Sequence, residues 1–119
     1  MQDLTAVFNH LKTILAPYAA RLDTKKDDAS ELYLDTRHIQ KNKKPVFFGA
    51  VQRKKSFISY HLMPVYLQPD LLQGLSPGLR KRMQGKSCFN FSEVDPVLFD
   101  ELATLTQTGF ASYETQGFV

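Results

Sequence analysis

Residues 46–62, VFFGAVQRKKSFISYHL, constrain the fold more than any other stretch of the chain. Alternation with a period of two places Val46, Phe48 and Ala50 on one face of a strand, and Phe47, Gly49 and Val51 on the other. A second run repeats the pattern, with Ile58, Tyr60 and Leu62 against Phe57, Ser59 and His61. Between them, RKK is short enough for a hairpin tip and charged enough to stay in water. Both faces of the first run are apolar, so this strand is expected in the middle of a sheet with cover on each side.

The flanking segments supply helices and further strands. Leu4, Val7, Phe8, Leu11, Ile14, Leu15 and Tyr18 recur at helical spacing, and Pro17, which lacks a backbone donor, predicts a break followed by a short continuation. DTKKDDAS, residues 23–30, is charged and aperiodic and reads as a loop. ELYLDT reads as a half-buried strand with Leu32 and Leu34 inward, and RHIQKNKK as a polar turn. QPDLLQG suggests a short helical turn. In SPGLRKRMQG, Ser76 is the expected N-cap, Pro77 the first helical residue and Gly85 the left-handed residue past the end. Arg80, Lys81 and Arg82 then fall in the last turns, where cations suit the helix dipole. Phe89 and Phe91 alternate with Cys88 and Asn90 as a short strand. Asp95 caps a C-terminal helix begun by Pro96, with Leu98, Leu102 and Leu105 as its stripe and Gly109 as a weak point.

Three consecutive strands with short links favour antiparallel pairing. The expected fold class is α+β, an antiparallel β-sheet of about four strands flanked by N- and C-terminal helices, in a single domain over residues 1–119. A chain of 119 residues can bury roughly two-thirds of its unfolded surface. No apolar run approaches the ~20 residues of a membrane span. MQDLTAVFNH lacks the basic region and apolar core of a secretory signal. The single cysteine excludes an internal disulfide and suits a reducing compartment. A cytoplasmic domain without membrane association is the expectation.

VFFGAVQRKKSFISYHLMPVY and MQGKSCFNF resemble the hairpin and the glycine-lysine turn of the YdhG-like family, small bacterial domains with a frataxin-like fold, and a proline-led C-terminal helix follows here as there. The resemblance covers residues 45–113. Between Leu22 and Pro45 the chain departs from the family pattern, being longer and more charged. The resemblance implies a sheet flanked by helices, and for one branch of the family an iron-chaperone role. Iron loading uses clustered carboxylates, because hard oxygen ligands attract the cation. The first helix offers Asp3, and the acidic group Asp23, Asp27, Asp28, Glu31 and Asp35 is interrupted by Lys25 and Lys26, so solvation is the expected role of that group.

Charge is segregated along the chain. Between Lys41 and Ser92 there are ten Lys/Arg against one acid, Asp70, whereas residues 93–119 hold five acids and no Lys or Arg. Such segregation presents a basic face to an anionic partner, unless the acidic C-terminal helix lies beside the basic hairpin and balances it internally.

The chemistry-bearing residues are few. His10, His38 and His61 have neither the spacing nor the cysteine grouping of a metal site, so no metal ligands and no cofactor are expected. Cys88 and His61 could meet on neighbouring strands, but a cysteine in a short strand ordinarily packs as a small apolar residue. No catalytic residue is assigned, and the chain reads as non-enzymatic. QGKS matches the end of a phosphate loop in four letters alone, since Leu79 stands where the upstream glycine is needed. Backbone N–H groups of residues 85–87, with Lys86, can form a small anion nest.

The favoured function is a binding or chaperone-like domain for a small anionic ligand or a protein partner, acting as a monomer or homodimer. Tyr60, His61, Tyr66 and Lys86 are the expected lining of its site, in a pocket between sheet and helices. Arg53, Lys54, Lys55, Arg80 and Arg82 are the expected anion- or partner-binding residues. The alternatives are an enzyme using Cys88, an iron-binding chaperone, as the family resemblance implies, and a nucleic-acid-associated accessory protein. The last is disfavoured because the chain carries no helix-turn-helix, zinc finger or RNA-binding aromatic signature.

Overall fold

A computed structural model describes residues 4–119; Asp3 lies outside them. Helix α1, Leu4–Leu15, runs into a 3-10 turn over Ala16–Arg21 that contains Pro17. Strands β1 (Asp23–Asp27), β2 (Glu31–Ile39), β3 (Pro45–Arg53) and β4 (Ile58–Leu62) follow. Short helix α2 (Pro64–Leu67), a 3-10 turn (Pro69–Leu72) and α3 (Pro77–Arg80) lead to β5 (Met83–Gln84) and β6 (Cys88–Phe91). The 21-residue helix α4, Pro96–Gln116, closes the chain. The α+β class and the antiparallel pairing are as expected.

The sheet has six strands rather than four, in the order β1-β2-β3-β4-β6-β5. The two additions are its edges. Strand β1 occupies the stretch read as a loop, and all five of its residues are exposed. With no side chain buried, it leaves no hydrophobic period to find; its backbone pairs with β2, and its lysines and aspartates form ion pairs along the edge. Lys25 lies 2.8 Å from Asp23, and Lys26 bridges Asp28 at 3.8 Å and Glu31 at 3.5 Å. Charged edges of this kind resist pairing with another chain.

Strand β3 contains a bulge that reverses part of the expected alternation. Leu34 pairs with Gly49 and Asp35 with Phe47, leaving Phe48 as the extra residue. Phe48 is fully buried among Tyr18, Phe110 and Tyr113, at ring distances of 5.5–5.7 Å. Val51 therefore joins the helix-facing side, and Ala50 moves to the other face with Phe47. Gly49 sits against α1, where an added Cβ would lie 3.1 Å from Leu15 Cδ1 and 3.0 Å from the His61 carbonyl oxygen.

Helices α1 and α4 cover one face of the sheet, and the core between them includes Phe8, Leu11, Leu15, Leu34, Phe48, Leu62, Phe89, Leu102 and Tyr113. The cover expected on both sides of β3 is thus present on one. Asp95 caps α4 as predicted, its carboxylate accepting from the Leu98 N–H at 3.1 Å. Gly109 does not end that helix: it lies against α2, where a Cβ would come within 3.0 Å of Pro64.

Helix α3 is shorter than the pattern suggests. Ser76 caps it, accepting from Leu79 N–H at 3.2 Å, and donates through its own N–H and hydroxyl to the Glu101 carboxylate of α4 at 2.8 and 2.5 Å. The helix stops at Arg80, and Gly85, with φ +79°, turns the β5–β6 hairpin instead of ending the helix. Arg82 therefore leads into a strand, outside any helix end.

Candidate functional site

Two groupings of polar side chains emerge from this architecture. The first is a cavity of about 590 Å³ beside the β5 edge. Val65 of α2, Leu72 of the 3-10 turn and Met83 of β5 form its apolar wall, and Tyr66, Arg80, Gly85 and Lys86 complete it. Its walls are local products of the sequence. Pro64 and Pro69 each open a helical turn, and Gly85 folds the hairpin back so that Lys86 stands at its tip. Arg80 donates from Nη2 to the Leu72 carbonyl at 3.0 Å, which holds the guanidinium at the rim.

The cations here are not neutralised by neighbouring acids. Among the described residues, the salt bridges are made by Lys12, Arg21, Lys25 and Lys26. None of the ten Lys/Arg between Lys41 and Ser92 takes part in one. The acids of α4 are engaged elsewhere: Glu101 receives Ser76, and Glu114 pairs with Arg21 at 2.8 Å. Direct pairing of the acidic C-terminal helix with the basic middle of the chain, the internal balance weighed from sequence, is not formed among the described residues.

The second grouping lies on the sheet face that the helices leave uncovered. Cross-strand pairing aligns Tyr33, Ala50, His61 and Cys88 in one row, and Glu31, Gln52, Ser59 and Asn90 in the next. Cys88 Sγ lies 2.7 Å from His61 Nδ1, and His61 Nε2 lies 3.0 Å from Gln52 Oε1. Gln52 Nε2 donates to Glu31 at 2.5 Å, and Ser59 Oγ lies 3.2 Å from His61 Nε2. Burial pushes the His61 imidazole down, with Lys54 adding to the shift and Glu31 opposing it. Burial pushes the Cys88 thiol up, against the Ser87 hydrogen bond and the charge of Lys54. The resting pair is therefore a neutral thiol and a neutral imidazole.

The four side chains expected to line one pocket are divided three ways. Tyr66 and Lys86 do share the cavity. Tyr60 is a correction: it is fully buried on the helix side, its hydroxyl 2.6 Å from Thr106 Oγ1, and it lines no surface site. His61, the next residue along β4, points to the opposite face. The space between sheet and long helices is filled core, and the cavity sits beside it. Arg80 of the basic set lines the cavity. Arg53 donates to Thr5 Oγ1 at 2.9 Å, Lys54 and Lys55 are exposed in the β3–β4 turn, and Arg82 is half-buried outside the cavity lining. Cys88 is half-buried on the uncovered face, opposite the core-facing Phe89 and Phe91, with its sulfur against His61. Gln52, Ser59, Glu31 and Asn90 were missed. Their signal, polar residues alternating with the buried ones, was present in the sequence, but their convergence depends on register.

No group of three or more His, Cys, Asp or Glu among the described residues is placed to hold a metal ion. In the acidic stretch, Asp23, Asp27, Asp28 and Glu31 are each within salt-bridge distance of a lysine.

Fold and sites together define an α+β domain with one sheet face covered by helices, a basic cavity at one edge and a polar relay on the open face. Comparison with protein-family models, with curated proteins and with solved structures gives no match. Among the described residues no helix is long and apolar enough to cross a membrane.

Proposed function

We propose that the chain is a binding domain for a small anionic ligand, or for an anionic group presented by a protein partner, and that the Tyr66–Arg80–Lys86 cavity receives it. The observation that carries this reading is the joint presence of two cations without carboxylate partners among the described residues and an apolar wall of Val65, Leu72 and Met83. Such a site suits a ligand with a negative head and an apolar body: the head gains charge-assisted hydrogen bonds and the body removes apolar surface from water. Membership of the YdhG-like, frataxin-like group belongs to the same proposal, supported by the helix–antiparallel sheet–helix order and by the resemblance of residues 45–113. The iron role of one branch draws no support from the donor set. A cytoplasmic setting is part of the proposal and rests on the lone cysteine.

Phenyl phosphate is a suitable probe, followed by backbone amide chemical shifts. Saturable shifts confined to residues 64–72 and 80–86, weakened about tenfold in Arg80→Glu and in Lys86→Glu, are expected. Shifts spread over all the lysines, or unchanged affinity in both variants, overturn the proposal. Nucleic acid is read out by a short single strand titrated at two salt concentrations, since phosphate contacts weaken by roughly 0.7–0.9 log units per log unit of salt each.

A further inference from the structure

The open-face relay carries an inference that goes beyond the cavity and does not rest on it. Nucleophilic thiol sites need a base within reach of the sulfur and a third group that fixes the base's orientation and tautomer. Both are present. As a carboxylate, Glu31 only accepts hydrogen bonds, so the Gln52 group facing it is the amide nitrogen. The Gln52 carbonyl oxygen then faces His61, and it too only accepts. His61 Nε2 therefore carries the proton, Nδ1 keeps its lone pair, and the proton between His61 and Cys88 belongs to sulfur. That tautomer is the one a general base requires. Lys54, exposed in the β3–β4 turn, lies close enough for its charge to act on both groups. On the same strand, two residues from the thiol, the buried Oδ1 of Asn90 has no hydrogen-bond partner among the described residues.

We propose that Cys88 is a nucleophile assisted by His61, with activated acyl compounds, thioesters and aryl esters, as its electrophiles and Gln52 as a positioning residue. In the step, the sulfur–carbon bond forms at the carbonyl while the thiol proton passes to His61 Nδ1. The tetrahedral adduct collapses, the carbon–oxygen or carbon–sulfur bond breaks, and the leaving group departs with the proton returned by the imidazolium. Thiol and ester become thioester and alcohol, or a second thiol; nothing is oxidised or reduced. The buried, neutral pair stores no thiolate, so the reaction depends on the base at the moment of attack and, along this route, speeds up with pH only until the imidazole is fully neutral. The charged groups facing it are Lys54 from the β3–β4 turn and Glu31 from β2, with the Ser59 and Ser87 hydroxyls as neutral neighbours.

The test uses the full chain and 4-nitrophenyl acetate, following nitrophenolate release and the mass of the intact protein. A single acetyl group on Cys88 is expected, formed at least about tenfold faster than on the urea-unfolded chain at the same pH, since general-base assistance typically contributes 10²–10⁴-fold. His61→Ala is expected to remove that advantage and added imidazole to restore part of it, a rescue that a structural role would not show. Gln52→Leu is expected to slow the reaction and change its pH profile while leaving the circular dichroism spectrum intact. Acetylation of native Cys88 no faster than in urea, a rate unchanged in folded His61→Ala, or equal labelling of Cys88→Ser overturns the proposal.

Discussion

The buried pair Tyr60–Thr106 gives a sharp test of the core. Both residues are fully buried, and their hydroxyl oxygens are 2.6 Å apart. Thr106 Oγ1 also donates to the Leu102 carbonyl of its own helix at 2.8 Å. One hydroxyl has one proton, so the Tyr60 hydroxyl is the donor in the pair and Thr106 the acceptor. The two truncations are therefore unequal. Tyr60→Phe takes away the donor and leaves Thr106 still bonded to Leu102, at a cost of about 0.5–1.5 kcal/mol. Thr106→Val keeps the shape but strands a buried phenolic proton, at about 1–3 kcal/mol. In the double variant no orphan donor remains, so its cost falls below the sum of the single costs by about 1 kcal/mol. Urea unfolding of the four proteins, followed by circular dichroism, measures the cycle. Thr106→Val cheaper than Tyr60→Phe, or strictly additive costs, refutes the donor assignment. Phenyl phosphate affinity unchanged in Tyr60→Phe completes the case that this tyrosine serves the core alone.

Two further outcomes follow from the sheet. Gly49→Ala sets a methyl group against the His61 carbonyl and Leu15 and is expected to destabilise the protein by about 1–3 kcal/mol, read as a lower urea midpoint; an unchanged midpoint would mean that α1 lies farther from β3. Asp35 is 7% exposed, and its carboxyl is pushed above the ordinary 3.8, chiefly by burial and also by Asp23, with Lys25 opposing. A raised folded-state value means that this group favours the native state fully below pH 3.8 and loses that contribution as pH climbs through the folded value. Asp35→Asn, which cannot ionise, is therefore expected to have the higher urea midpoint at neutral pH, with the gap closing below 3.8; a gap that widens on acidification contradicts the assignment.

What could be read from the sequence was what short-range chemistry dictates. Asp95–Pro96 and Ser76–Pro77 mark helix starts because a side-chain oxygen beside a fixed φ works wherever it occurs. The runs in β2, β3, β4 and β6 declare themselves because each buries alternate side chains. Strand β1 buries none and β5 spans two residues, so neither leaves a period. The Phe48 bulge depends on pairing with β2, and no pattern within β3 could announce it. At the sites, Tyr66 and Lys86 line one cavity, while Tyr60 and His61 were placed together against the alternation of their own strand. That mistake was avoidable from the sequence. That His61 and Cys88 could meet on neighbouring strands was legible, but the contact itself was not, because β4 and β6 become neighbours only after three short helical turns and β5 have been threaded between them.

The open face is therefore the part of this molecule least determined by local sequence and most determined by topology. Its two polar rows each draw one residue from β2, β3, β4 and β6, and only the strand order brings those residues into line. The hydrogen bonds run in one direction along these rows. Glu31, also 3.5 Å from Lys26, orients an amide on β3; that amide sets the imidazole tautomer on β4; the tautomer decides that sulfur on β6 is the donor. A carboxylate near the sheet edge thus governs the proton on a thiol three strands away, with no movement of the backbone. Were such rows merely solvated, their side chains would point separately into water. Ser59 at 4% exposure and Ala50 at 0% show instead that the layer is packed, and a packed polar layer holds its hydrogen-bond directions.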